Sequence, residues 1–391
     1  MEFKINFSGK AHTYTEDEIQ TVIDAMRSAD PLTQGKYRDA FEQAFCNYNG
    51  NEYAFSVCNA TAALELAAQM CLFKEGDEIV APSHTFTSSV YPFVKKGAKV
   101  KWADIDSTTR VVTLNSIKEC ITSKTKAIVV VHLYGFIIPE IEAIAHFAQE
   151  NGFLLIEDVA QAMGTEINGS KAGTFGDFGV FSFHSHKNIT TLGEGGMLTV
   201  KSEKYANIIP LLRHNGHCGF DYPRSNYWIP AMGNLDLPNL DGYDLMPNNY
   251  CLGEIECALG TKLLERLDII NNEKRSKALA FIDALQEYSI LQFHRIDDKR
   301  HNYHLLVAYV QNGQRDNVLK KLAYDYRIKC VVQYYPLNRY PLYQKLGFGE
   351  AVCPNADYLF DNMISFPFHH WMSDMEFDYM LQSTISVLKD L

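Results

Sequence analysis

The residue best placed to do covalent chemistry in this chain is Lys187. It lies in the stretch GTFGDFGVFSFHSHKNITTLGEGG, residues 173–196. Residues 178–184 alternate around aromatic side chains and read as a short buried strand. The His-Ser-His-Lys-Asn that follows is too polar to continue it. GEGG then breaks the chain, and residues 197–200 start another apolar run. A lysine at such a junction sits at the mouth of a site. Partial desolvation there lowers the ammonium pKa and turns the amine into a nucleophile. Most lysines are solvated surface groups, so Lys187 needs company before the chemical reading prevails.

Two other stretches supply it. Residues 153–156 form an apolar run that ends in Glu157-Asp158. A carboxylate therefore falls at the C-terminal end of a strand, the edge where open α/β sheets bind ligands. Strand alternation sends the two acids to opposite faces, and Asp158 is the one assigned to the site. Taken alone, Asp158 could equally cap a helix over residues 159–163. Upstream, CNATAAL (residues 58–64) joins a strand at 53–57 to an Ala- and Leu-rich helix at 61–73. Asn59, Ala60 and Thr61 then lie at a helix N-terminus, where free amides and the helix dipole bind phosphate. Ordinary capping by Asn59 or Thr61 would leave the same local sequence. A nucleophilic lysine, an acid for a pyridine nitrogen and a phosphate cradle are together what pyridoxal 5'-phosphate (PLP) requires. The acid keeps the ring protonated as an electron sink.

Positioning these groups takes a sheet. Between residues 53 and 156, apolar segments at 53–57, 78–81, 100–103, 127–132 and 153–156 alternate with helical segments from 61, near 88–94, near 116–121 and at 139–150. That alternation predicts a mostly parallel sheet covered on both faces. Ahead of it, Thr15 and Glu18 form a capping box before Ile19, Val22, Ile23 and Met26. Tyr37, Phe41, Ala44, Phe45 and Tyr48 mark a second helix, with a turn at 30–35 between the two. Later segments predict a helix at 263–285, strands at 304–310 and 330–334, a helix at 316–324 and a last helix at 375–391.

The 391 residues leave room for two domains, and 47% hydrophobic with 21% charged residues is ordinary for a globular chain. A net charge of −11 argues against general nucleic-acid binding. Nine scattered cysteines without a CxxC pair suit a reducing cytosol better than a disulfide framework or a metal site. The first residues lack the apolar core of a signal peptide, and no run is long enough to span a membrane.

The order CNATAAL, PSHTF, VHLYG, EDVAQ, GDFGVFSFHSHK, GEGG resembles the DegT/DnrJ/EryC1/StrS family. The likeness covers nearly the whole chain, including YYPLNRYPLY and FPFHHWMS. It implies a fold-type I PLP-dependent transferase: a large domain with a mostly parallel seven-stranded sheet (1–246) and a smaller α+β C-terminal domain (247–391). It assigns the Schiff-base role to Lys187 and the pyridine nitrogen to Asp158. Phe86 becomes the ring that stacks on the pyridine, Gln161 a contact near the 3-hydroxyl, and Ser182 a phosphate donor beside Ala60 and Thr61. His184 and Tyr335 become candidate substrate neighbours. Asn249, with Asn248 as its competitor, would reach the phosphate of a neighbouring subunit's cofactor. Cys251 and Asn338 depart from the family's usual Arg and His, and residues 218–249 are longer than expected there.

The resemblance further implies transfer of an amino group from glutamate or glutamine to a keto-sugar, foremost a nucleotide-linked one, with pyridoxamine 5'-phosphate as the intermediate form. A small phosphorylated ketone is the alternative substrate. A sugar dehydratase is disfavoured by Lys187, because that branch carries His. A PLP-binding sensor without turnover is the remaining alternative. A cytoplasmic homodimer is expected, in pathways of surface polysaccharide or other glycans.

Overall fold

Seven short apolar segments pair into one sheet: β1 (Tyr53–Val57), β2 (Glu78–Pro82), β3 (Lys99–Ala103), β4 (Thr125–Val131), β5 (Leu154–Asp158), β6 (Phe178–Ser182) and β7 (Gly196–Val200). The order across the sheet is β1-β7-β6-β5-β4-β2-β3. Strands β2 to β6 run parallel, and β7 opposes both of its neighbours. The computed structural model describes residues 2–7, 9–218 and 234–391. Residues 127–131 of β4 and every residue of β6 are buried. Strands covered on both faces read as continuous apolar runs, which is why they stand out in the sequence. The mostly parallel seven-stranded sheet expected above is therefore present.

Helices α1 (Glu16–Ser28) and α2 (Lys36–Asn49) lead into the sheet. The Thr15 and Glu18 capping box forms as read. The start of α2 has no cap of its own. Its free amides at Gly35, Tyr37 and Arg38 instead donate to the buried Glu254 carboxylate, at 2.8, 2.8 and 3.2 Å. Glu254 opens α3 (Glu254–Leu264), so a long-range contact caps one helix with the first residue of another. Local sequence carries no sign of that. Another helix, α4 (Leu267–Ala284), follows immediately. The single helix expected at 263–285 is thus two, and the break at Arg266 turns that guanidinium onto Glu18, Nε to Oε1 2.8 Å.

The C-terminal part is built on a three-stranded antiparallel sheet, β8 (Leu291–Phe293), β9 (Leu306–Val310) and β10 (Met363–Phe366). Period-two alternation divides β9 between two cores. Val307 and Tyr309 join the core of the large sheet, while Leu306, Ala308 and Val310 join the second. The second core changes over within α4: Leu267 and Ile270 belong to the first, Ala278, Phe281 and Ile282 to the other. The strand expected at 330–334 does not form. Only Val331 pairs with Ser365, because the chain then leaves the sheet and turns Gln333 and Tyr334 into a cavity. The nine cysteines are free thiols. Among the described residues no helix is long and apolar enough to cross a membrane. Of the long 218–249 segment, residues 219–233, which hold Tyr222, Tyr227 and Trp228, lie outside the described residues.

Gly260 of α3 sits against the Phe41 ring, and an added Cβ would come 2.6 Å from its Cζ. Alanine is the better helix former by about 1 kcal/mol, but overpacking costs about 1–3 kcal/mol. Gly260→Ala is therefore expected to lower the thermal unfolding midpoint; an increase would show that the Phe41 contact is looser than this packing.

Candidate active site

Neighbouring acids on β5 do different work because alternation separates them. Glu157 is buried and accepts from the amides of Gly173, Phe175 and Gly176 at 2.9, 2.8 and 2.6 Å, and from His132 Nε2 at 2.9 Å. It organises the loop before β6. Asp158 faces the opposite side, into a cavity of about 570 Å³. Its carboxylate is fixed by Ser89 Oγ at 2.7 Å on Oδ2 and by the Ala160 amide at 3.0 Å on Oδ1. Asp158 is thus held from both ends before any ligand arrives.

The expected cradle forms at the start of a helix over Ala60–Met70, separated from the end of β1 by Cys58 and Asn59 and starting one residue earlier than read. Asn59 is its cap, accepting from the Ala62 amide at 2.9 Å. The amides of Ala60 and Thr61 have no intrahelical partner and line the same cavity as Asp158. Gly196 of β7 explains how the cradle reaches the sheet. A Cβ there would come 2.5 Å from the Asn59 carbonyl carbon and 2.7 Å from the Ala60 nitrogen. The GEGG break is a close backbone approach, not only a turn.

Lys187 follows β6 on a loop clasped by the N-terminal arm. Ala11 donates to the Ser185 carbonyl at 3.0 Å, and Tyr14 donates to the Thr190 carbonyl at 2.8 Å. The Lys187 side chain lines the cavity. Burial lowers its pKa to about 8, with the Asp158 charge opposing the shift. A second lysine, Lys274 on α4, is pushed lower still, to about 7, by burial. Depressed pKa alone would select Lys274. Geometry selects Lys187: Lys274 is fully enclosed behind the loop, donating to Asn188 Oδ1 and the His304 carbonyl, both at 3.0 Å, and it does not line the cavity.

The other expected residues divide. Phe86, Gln161, Ser182 and His184 all line the cavity with Lys187. Phe86 is 52% exposed, a large ring left uncovered inside a site. Gln161 is oriented by the Tyr134 amide at 2.7 Å and by Tyr334 Oη at 3.1 Å. Tyr335 requires a correction. It packs against Tyr340 and Phe360, ring centroids 5.5 and 5.0 Å away, outside the cavity. Its neighbour Tyr334 lines the cavity instead, together with Gln333. Asn249 is exposed and pairs with His214 in an isolated bridge, away from its own chain's cavity. Asn248 is committed elsewhere, to Gln69 Oε1 at 3.0 Å. Asn338 is buried, donates to the Ala351 carbonyl at 3.0 Å and does not reach the cavity. His84 is buried and pairs not locally but with Tyr134 Oη, distant in sequence, at 2.5 Å.

Residues not foreseen also line the cavity: Ser89, Phe7, Gln333, His304 and His369. Ser89 lies three residues past PSHTF, and its hydroxyl type was the only available signal. The others come from the arm and the C-terminal part, whose return to the sheet edge no local pattern encodes.

These groups fit PLP. A free pair of helix amides brought close by Gly196, an anchored carboxylate, an uncovered aromatic ring and an amine of lowered pKa border one cavity. Among the described residues no group of His, Cys, Asp or Glu is arranged to hold a metal. Two outcomes are expected. Gly196→Ala should weaken cofactor uptake sharply, measured by equilibrium dialysis with PLP, because the added methyl displaces the cradle. In cofactor-free protein Lys187 should react with an amine reagent half-maximally near pH 8, against ~10.4 for a solvated lysine, as followed by peptide mapping; a midpoint near 10 would contradict the desolvation described.

Comparison with known proteins agrees with this geometry. The model of the DegT/DnrJ/EryC1/StrS aminotransferase family matches residues 12–384. The chain is 31% identical to the GDP-perosamine synthase of Vibrio cholerae over 335 residues, 85% of each chain. It is 31% identical to the UDP-4-amino-4,6-dideoxy-N-acetyl-beta-L-altrosamine transaminase of Campylobacter jejuni over 388 residues, covering 96% of this chain and 97% of the other. Spr1654 from Streptococcus pneumoniae, solved in its PMP form, superposes with a TM-score of 0.86 at 25% identity over 98% of this chain and 100% of that one. The cavity, its lysine and the match over almost the full length lead to one conclusion: the chain belongs to the DegT/DnrJ/EryC1/StrS aminotransferase family, and it is a PLP-dependent aminotransferase.

Proposed function

We propose that this enzyme moves an amino group from glutamate or glutamine to a nucleotide-linked keto-sugar, in the cytoplasm, for a surface polysaccharide or related glycan. The observation that carries the reading is Lys187 and Asp158 on one cavity of about 570 Å³ with the amides of Ala60 and Thr61. The relatives named above, which act on GDP- and UDP-linked sugars by their names, support the substrate class.

PLP, when bound, supplies an electron sink for the carbanion left when the donor Cα loses its proton. The chain's own groups do the rest. Lys187 would hold the cofactor covalently. Its Nζ, once displaced, takes the proton from the donor Cα and later serves as the acid in the reverse direction. A lowered pKa suits that alternation, since both forms of the amine are then within reach near pH 8. Asp158, pinned by Ser89 and Ala160, would face the pyridine nitrogen. Ser182 and the Ala60 and Thr61 amides would hold the phosphate, and Phe86 would cover the ring. The oxo acid leaves before the ketone enters, so the kinetics are ping-pong.

We also infer a homodimer. Asn249 is exposed and has no side-chain hydrogen bond among the described residues. Leu32, Leu192 and Met246 are large apolar side chains that are 63, 48 and 74% exposed. A second copy would cover such surface and bring Asn249 to the neighbour's phosphate. Sedimentation should give a dimer, and a fully active monomer would contradict it.

The amino-transfer reading is tested on the cofactor's visible spectrum. Glutamate or glutamine should bleach the holoenzyme band, and a nucleotide-linked keto-sugar should restore it. Restoration only by a small phosphorylated ketone would keep Lys187 and Asp158 in place and overturn the substrate class; no response to any amino donor would favour a sensor without turnover. Lys187→Ala should lose at least about 10³-fold in kcat, and turnover near wild type would remove Lys187 from its role. Ser89→Ala should lower kcat by loosening Asp158 and cost about 1.5–3 kcal/mol of folding stability, and an unchanged kcat would remove Ser89 from that role.

A further inference from the structure

Among the described residues lining the cavity, Lys187 is the one lysine or arginine, and Asp158 and Glu194 are the carboxylates. With Lys187 given to the cofactor, no ammonium or guanidinium among the described lining residues is left for the ketone. Imidazoles take up the wall opposite the sheet. His304 stands two residues before Leu306, and His369 three residues after Phe366. Leu306 and Phe366 are direct partners in the β9–β10 register. The antiparallel pairing therefore brings both histidines to the same edge of the small sheet, where they line the cavity with Lys187.

Both are committed by their surroundings and idle in their rings. The His304 amide is fixed by Asn302 Oδ1 at 2.9 Å and its carbonyl by Lys274 at 3.0 Å; its ring has no hydrogen bond among the described residues. His369 stacks on Trp371, centroids 3.9 Å apart and planes 26° apart. It is 7% exposed, and its Nδ1 is buried without a partner. Leaving such an atom unpaired costs about 1–3 kcal/mol, which a ligand group would recover. Burial holds both rings below the usual histidine range, His369 at about 4, and the nearby Lys274 charge pushes the same way on each. Each is then a neutral imidazole, one donor and one acceptor. Phosphates and carboxylates call for cations. A sugar hydroxyl both donates and accepts, and Phe7, Tyr334 and Phe368 line the same cavity to cover the apolar ring faces.

We propose that His304 and His369 form a hydroxyl-reading subsite for the ring of the keto substrate, and so set which sugar is accepted. This rests on the keto-sugar reading above.

The test couples a change in the protein to a change in the ligand. Wild type, His369→Phe, His304→Phe and His304→Gln are each assayed with an accepted keto-sugar and with ring-deoxy analogues of it. His369→Phe keeps a ring to stack on Trp371, and it stands alone if His304→Phe does not fold. The expected result is a loss of about tenfold or more in kcat/KM on the hydroxylated sugar, carried mainly by KM. That is about 1.4 kcal/mol. The loss should shrink to within about twofold on the deoxy analogue that lacks the matching hydroxyl, and His304→Gln should recover part of it. Equal losses on every analogue would overturn the subsite and leave the keto-sugar reading standing. A wild type that accepts only small phosphorylated ketones would overturn both.

Discussion

The alternation of β5 is the constraint on which the site depends. Two adjacent acids on an extended strand cannot face the same way. Glu157 is turned inward and spends its carboxylate on three loop amides and His132. That loop leads into β6, and β6 delivers Lys187. Asp158 is turned outward and held by Ser89 and Ala160. One strand thus fixes both the acid of the site and the route by which the lysine arrives. A one-residue slip in β5 would exchange the two acids and dismantle both.

The lysine's surroundings show why position decides over pKa. Lys187 and Lys274 are both desolvated, and Lys274 ends lower because no carboxylate opposes the shift as Asp158 does for Lys187. Lys274 spends its protons on Asn188 and the His304 carbonyl, tying the reactive loop to the C-terminal part. Lys187 has no such ties and opens on the cavity. Burial makes an amine available; access to a ligand makes it useful.

Much of this was legible in the chain. The apolar runs of β2, β6 and β7 are buried on both faces and carry their own signal. Asn59 caps the cradle helix as its sequence suggests, and the Thr15 capping box forms because both partners lie within one turn. What escaped reading depends on distant partners. Glu254 caps α2 across more than two hundred residues. Gly196 is needed because Asn59 lies against it, not because of any turn. Tyr334 rather than Tyr335 enters the cavity, since the phase of an extended segment with a single bridge cannot be counted from its residues. His304 and His369 meet only through the pairing of β9 with β10.

The central claim is that Lys187, and not Lys274 with its lower pKa, carries the cofactor. The direct measurement is to reduce the PLP-loaded protein with borohydride, digest it, and locate the fluorescent pyridoxyl group by mass spectrometry. The pyridoxyl group on the peptide containing Lys187 is the expected result. Its presence on Lys274 would contradict the site described here, because that amine lies behind the loop and could be reached only if the loop and the small sheet were arranged differently.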